Sequence, residues 1–112
     1  MVSMTVIAKV WPETRSEFFD AMRSLQKERL AEPGIRGSQM YEYREEPNRF
    51  IIIDDWETDE DLQRHLSKES FKILLGALRA LCDEAEIKYD PLRGRKFRRI
   101  NGLTRLKQDT VT

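Results

Sequence analysis

Cysteine and histidine each occur once in these 112 residues, as Cys82 and His65. A lone cysteine excludes an internal disulfide framework and a CxxC metal or redox pair, and it suits a reducing, cytoplasmic setting. Long apolar runs are also missing. The longest, Phe50-Ile51-Ile52-Ile53 and Ile73-Leu74-Leu75, fall far short of the roughly 18 residues of a membrane-spanning helix. Met1 to Met4 has no basic stretch ahead of an apolar one, so neither export nor a membrane partner is expected. The sequence holds no phosphate loop, Ser/His/Asp triad, dinucleotide fingerprint, internal repeat or low-complexity segment, which removes the common signatures of nucleotide and hydrolase chemistry. Its length suits one domain, which can bury roughly two thirds of its unfolded surface without staples.

Net charge is zero, but its distribution is uneven. Residues 1–92 hold 13 Lys and Arg against 19 Asp and Glu, while residues 93–112 hold seven against one. A basic tail on an acidic body points to docking on its own or a partner's body. A nucleic-acid arm built on Arg93, Arg95, Lys96, Arg98, Arg99, Arg105 and Lys107 is the weaker alternative, since no reading element accompanies it. The acidic run Asp54, Asp55, Glu57, Asp59, Glu60 and Asp61 is not expected to bind metal: a strand splits the first three across its faces, and helix capping accounts for the rest.

Periodicity gives seven elements. Met4 to Val10 is β-rich and stops at Trp11-Pro12. A helix follows, capped by Thr14 or Ser16, with Phe18, Met22 and Leu25 on one stripe; it ends at Ala31-Glu32-Pro33-Gly34. Ile35–Arg44 and Arg49–Glu57 read as an antiparallel hairpin around Glu45-Glu46-Pro47-Asn48. If Arg44 faces Arg49, one face holds Ile35, Gly37, Gln39, Tyr41, Tyr43, Phe50, Ile52, Asp54 and Trp56. The other then holds Arg36, Ser38, Met40, Glu42, Arg44, Ile51, Ile53, Asp55 and Glu57. Both faces are partly apolar, so both are expected to be covered. Thr58 to Asp61 resembles a capping box that opens a short helix with Leu62, His65 and Leu66 on one side. From Ser67 or Ser70 a longer helix places Phe71, Leu74, Leu75, Leu78, Leu81 and Cys82 on one stripe. Ala85 to Tyr89 alternates and stops at Asp90-Pro91, giving a fourth strand.

The order β-α-β-β-α-β is that of an α+β, ferredoxin-like plait: a four-stranded antiparallel sheet with helices on one face. The domain should span residues 1–92. In the tail, 93–112, Asn101-Gly102 between Lys96–Ile100 and Leu103–Lys107 is a hairpin signal that would set Phe97 opposite Leu106; a disordered tail is the alternative.

Glu32-Pro33-Gly34, Tyr41-Glu42-Tyr43, the run Arg49 to Thr58 with Asp54-Asp55-Trp56-Glu57, and His65-Leu66 on the short helix carry a resemblance. In this order and spacing they are similar to the antibiotic-biosynthesis monooxygenase-like domain, over about residues 4–92. The resemblance implies a dimeric α/β barrel made by two sheets, and an oxidoreductase that oxidises a quinol- or polyketide-like aromatic with no metal, flavin or other cofactor. A haem-degrading member would carry an Asn on the first strand, a Trp on the short helix and a His on the long one. The first strand here lacks Asn, and the other two positions hold His65 and Leu75, so haem degradation is not expected.

A cofactor-free oxygenase needs a dry pocket, a base or hydrogen-bond partner and aromatic walls. Asp54 and His65 are the catalytic candidates, and Gln39, Tyr41, Tyr43 and Trp56 the substrate-binding ones. Each has a structural alternative: Trp56 as core, Asp54 in a local pair, His65 fixing its helix to the sheet. Three functions follow for test: a homodimeric monooxygenase for a small aromatic, a non-catalytic dimeric binding module, and nucleic-acid binding through the tail.

Overall fold

The computed structural model describes residues 1–90 and a strand at 97–99. Five strands form one antiparallel sheet: β1 (Val2–Val10), β2 (Ile35–Glu42), β3 (Arg49–Trp56), β4 (Cys82–Asp90) and β5 (Phe97–Arg99), in the order β2-β3-β1-β4-β5. The first four make the expected plait. β5 adds a short fifth strand beside β4, and the hairpin expected around Asn101-Gly102 lies outside the described residues. Helices α1 (Arg15–Arg29), α2 (Asp59–Leu66) and α3 (Glu69–Leu81) follow β1 and β3 in the chain order that places them over one face of the sheet. Among the described residues no helix is long and apolar enough to cross a membrane.

Alternation decides which side chains meet the helices. Met4, Val6, Ala8 and Val10 of β1, Phe50, Ile52 and Trp56 of β3, and Ala85 and Ile87 of β4 are buried inward. They pack against Phe18, Met22 and Leu25 of α1 and Phe71, Leu74, Leu75 and Leu78 of α3, each buried aliphatic or aromatic side chain contributing on the order of 1.5–3 kcal/mol relative to exposure. Phe18 stacks on Phe50 at 5.2 Å and Phe19 meets Phe50 edge-on at 5.1 Å. The Arg15 guanidinium lies over Phe19 and Phe50 and also donates two hydrogen bonds to the Glu42 carboxylate, at 2.7 and 2.8 Å. Arg15, with help from the Asn48 backbone N–H, holds the Glu42 carboxyl down at about 2. The start of α1 is thereby tied to the end of β2.

Two expectations need correction. Cys82 does not continue the α3 stripe: the helix stops at Leu81, and Cys82, extended at φ −118°, opens β4 opposite Val10. It remains buried, which pushes its thiol up to about 12. The hairpin register is also offset by one residue from the Arg44–Arg49 pairing. Tyr43 N–H donates to the Arg49 carbonyl, and Glu42 faces Phe50, Met40 faces Ile52 and Ser38 faces Asp54. The turn closes at Asn48, which takes φ +71°, a left-handed conformation that asparagine tolerates. Because side chains alternate with a period of two, this single step exchanges the faces of β2 relative to β3. Gln39 and Tyr41 thus share a face with Ile51 and Ile53. A bulge between Ile35 and Gly37 returns Ile35 to the core side, opposite Trp56.

The connection from α1 to β2 turns on Gly34, at φ +87°, against α2. Thr58 caps α2 by accepting the Asp61 N–H at 3.1 Å and donating to the Asp61 carboxylate at 2.9 Å. That capping pair sets Asp61 where a Cβ on residue 34 would overlap it. Gly34→Ala is expected to lose about 1–3 kcal/mol from backbone conformation alone, with the overlap adding to it; urea denaturation measures the loss, and an unchanged midpoint would refute it.

Candidate functional site

Two charged residues occupy positions that the pattern reserves for apolar ones. Arg29 follows Leu25 on the inward stripe of α1, and Asp54 sits between Ile52 and Trp56 on the inward face of β3. They meet under the helix, Arg29 Nε 2.8 Å from Asp54 Oδ2, with side chains 3% and 1% exposed. Burial pushes the Asp54 carboxyl up, and Arg29 and Ser38 oppose that shift. Removing one partner of such a pair strands a buried charge, which typically costs about 3–5 kcal/mol. Beside the pair, Gln26 Nε2 donates to the Ser38 carbonyl and hydroxyl at 3.0 and 3.1 Å, and Arg29 Nη2 lies 3.4 Å from the same hydroxyl. These bonds form a polar rung between α1 and the edge strand β2.

Next to this rung, between α1 and the sheet, lies a cleft of about 80 Å³ lined by Phe19, Met22, Arg23, Gln26, Arg29, Met40 and Ile52. That is several times the roughly 10–15 Å³ one water centre requires. The walls are thioether, aliphatic and aromatic. The polar groups come from three positions of α1, spaced three apart so that they share a side of the helix.

A second buried group lies near the far end of β3. His65 Nδ1 is 3.0 and 3.2 Å from the two Glu32 carboxylate oxygens, and its ring stacks on Trp56 at 4.9 Å and meets Phe71 edge-on at 5.6 Å. The side chain is 1% exposed. Burial lowers its pKa, and the Glu32 carboxylate partly opposes that. The neutral ring therefore donates Nδ1–H to Glu32. Among the described residues, His65 Nε2 and Trp56 Nε1 have no hydrogen-bond partner. The Glu-Pro-Gly segment thus acts as a clasp, with Glu32 gripping α2 and Gly34 making room for Asp61.

The six sequence-derived candidates do not converge. Asp54, Trp56 and His65 lie on the helix side of the sheet, whereas Tyr41, 50% exposed, and Tyr43, 38% exposed, lie with Gln39 on the outer side. Tyr41 Oη donates to Gln39 Oε1, and Arg49 covers the Tyr43 ring at 5.2 Å. The face expected to unite Gln39, Tyr41, Tyr43, Asp54 and Trp56 rested on the Arg44–Arg49 register, and its one-residue offset separates them. Asp54 touches the cleft only through Arg29, and Trp56 and His65 do not line it. Sequence reasoning missed Arg23, Gln26, Arg29, Ser38, Met22, Met40 and Ile52 as site residues. Arg29 had a usable signal, a charge on an apolar stripe. Met40 and Ser38 had none, because the register that turns them inward comes from the turn. Among the described residues no three His, Cys, Asp or Glu side chains gather as metal ligands.

The lowered pKa of His65 makes stability pH-dependent. The unfolded chain takes up a proton near pH 6.5 and the folded chain only at lower pH, so the contribution of neutral His65 is present above about pH 6.5 and is lost as pH falls. Asp54, with a raised pKa, acts in the opposite sense, so the comparison is made with His65→Gln. The stability advantage of the native chain over His65→Gln is expected to shrink between about pH 7.5 and pH 5, at up to about 1.4 kcal/mol per pH unit. A pH-independent difference in denaturant titrations would show that His65 is not held neutral.

The model of the family described as antibiotic biosynthesis monooxygenase matches residues 1–74. Among solved structures, a conserved protein from Methanosarcina mazei Go1 is 27% identical with a TM-score of 0.73, covering 79% of this chain and 88% of its own. A variant of SnoaB, a cofactor-independent oxygenase from Streptomyces nogalater, is 22% identical with a TM-score of 0.73, covering 82% and 92%. An antibiotic biosynthesis monooxygenase is 19% identical with a TM-score of 0.71, covering 80% and 95%. No curated protein matches the chain. The plait and the match over residues 1–74 agree, and the chain belongs to the antibiotic biosynthesis monooxygenase family.

Proposed function

We propose that this chain is a cytoplasmic, cofactor-independent monooxygenase whose substrate, a small quinol- or polyketide-like aromatic, binds in the cleft between α1 and the sheet of each subunit of a homodimer. The observation that carries the reading is the cleft itself, with apolar walls of Met22, Met40 and Ile52 and the Arg29 guanidinium held in place by buried Asp54. Family membership and the likeness to an oxygenase that works without cofactor support it.

An aromatic that ionises at a hydroxyl or an activated CH₂ is itself the electron donor to dioxygen. The Arg29 guanidinium, its charge matched by Asp54, still offers fixed N–H donors that favour the anionic form by hydrogen bonding without consuming a proton, and their effect grows in a water-poor cleft. For an activated CH₂ the balance is CH₂ + O₂ → C=O + H₂O: carbon loses four electrons, one oxygen atom enters the product, the other leaves as water, and no external reductant is needed. In this scheme Asp54 positions Arg29. His65 and Trp56 brace β3 against α2 and touch no reacting atom. Oxygen-electrode measurements on the purified chain with chelator and without flavin, over a panel of naphthalene quinols and anthrones, are expected to show uptake above spontaneous autoxidation. Met22→Trp, which fills the cleft, should lower kcat/KM by about 10-fold or more, equivalent to about 1.4 kcal/mol. No uptake with any member of the panel would overturn the assignment.

The homodimer is supported by the outer face of the sheet, where Ile7, Ile51, Ile53 and Tyr41 are adjacent by register and, among the described residues, no helix covers them. Two such faces meeting about a two-fold axis remove this apolar surface from water. In this reading Gln39, Tyr41 and Tyr43 serve the subunit contact and not the cleft. Sedimentation is expected to give a dimer for the native chain and a monomer for Ile51→Glu; a monomeric native chain would refute the assembly.

A further inference from the structure

The cleft is selective in charge as well as shape. Resting on the cleft assignment above, we infer that its natural ligand is an aromatic carboxylate whose anionic group is taken by Arg23. Among the described residues no carboxylate side chain lines the cleft, and its polar lining is two guanidiniums and one amide. The charge of Arg29 is already offset by Asp54 at 2.8 Å, and the Gln26 amide nitrogen is committed to Ser38. Arg23 stands apart: it is exposed at the cleft's edge and forms no ion pair among the described residues. The cleft therefore presents one uncompensated positive charge beside an apolar floor. One negative charge balances it, which suits a monoanion and leaves a phosphate dianion half compensated. The planar guanidinium fork matches the two oxygens of a carboxylate. A ligand ring lying on Met22, Met40 and Ile52 would set its carboxylate outward toward Arg23, because α1 places residue 23 one step further around than residue 22. Residues 1–92 carry an acidic excess of 19 to 13, so attraction to an anion is local to this edge and should be screened by salt.

The test compares naphthoate with its neutral isostere naphthamide by titration calorimetry on the full chain, together with methyl NMR of isotope-labelled methionines. Naphthoate is expected to bind about 5- to 10-fold more tightly at low salt, as a partly exposed charge-assisted contact allows. It should shift the methyls of Met22 and Met40 and leave that of Met1 in place. Arg23→Gln should erase the preference, whereas Lys27→Gln, which removes the same charge from α1 outside the cleft, should keep it. Equal affinity for the two probes, a preference that survives Arg23→Gln, or shifts that bypass Met22 and Met40 would overturn the inference. The two readings fail separately. Carboxylate preference without oxygen uptake on any aromatic sinks the oxygenase and leaves the anion site, while turnover of neutral quinols without carboxylate preference does the reverse.

Discussion

Arg29 and Asp54, 2.8 Å apart and almost fully excluded from solvent, set how the first helix sits on the sheet. Desolvating two charges is costly, and the cost is recovered only when the partners keep close contact. Any slide of α1 along β3 would separate them, so the pair acts as a register pin between helix and strand. The rung from Gln26 to Ser38 and the Arg15 to Glu42 clasp hold the same helix at two further points along β2. The cleft lies where α1, held by these polar contacts, passes over Met40 and Ile52.

The two faces of the sheet therefore have separate tasks. The inner face combines packing with a polar cleft: most of its side chains form the core, and a few leave space and charge under α1. The outer face carries isoleucines and a tyrosine in register with one another, a composition suited to contact with another sheet. Among the described residues only the inner face has a helix to wall off a cavity.

The Glu32, Trp56 and His65 cluster illustrates how motif and role separate. By pKa a lone histidine is a natural candidate for proton transfer. Here it is buried, neutral, stacked on Trp56 and bound to Glu32, so residues that carry the resemblance in the sequence stabilise the junction of β3, α2 and the Gly34 turn. Short conspicuous motifs often record a difficult packing corner, where a positive φ, a helix cap and a buried polar ring must coincide.

Much of this was legible from the chain alone. The alternation in Met4, Val6, Ala8 and Val10, the stripe Phe18, Met22, Leu25, the capping box at Thr58 and the stripe Phe71, Leu74, Leu75, Leu78 each state a local period, and a local period needs no partner to be read. The plait and the family followed from their order. The candidate site was only partly legible: Asp54 was visible and Arg29 carried a usable signal as a charge on an apolar stripe, but the two lie 25 positions apart and their pairing emerges only when the helix is laid on the sheet. The grouping of Gln39, Tyr41 and Tyr43 with Asp54 and Trp56 was undone by one residue of register. Strand identity is written in the alternation itself, whereas register depends on how the turn at Asn48 closes, and with a period of two a single residue moves the side chains of β2 from Gly37 onward to the other face.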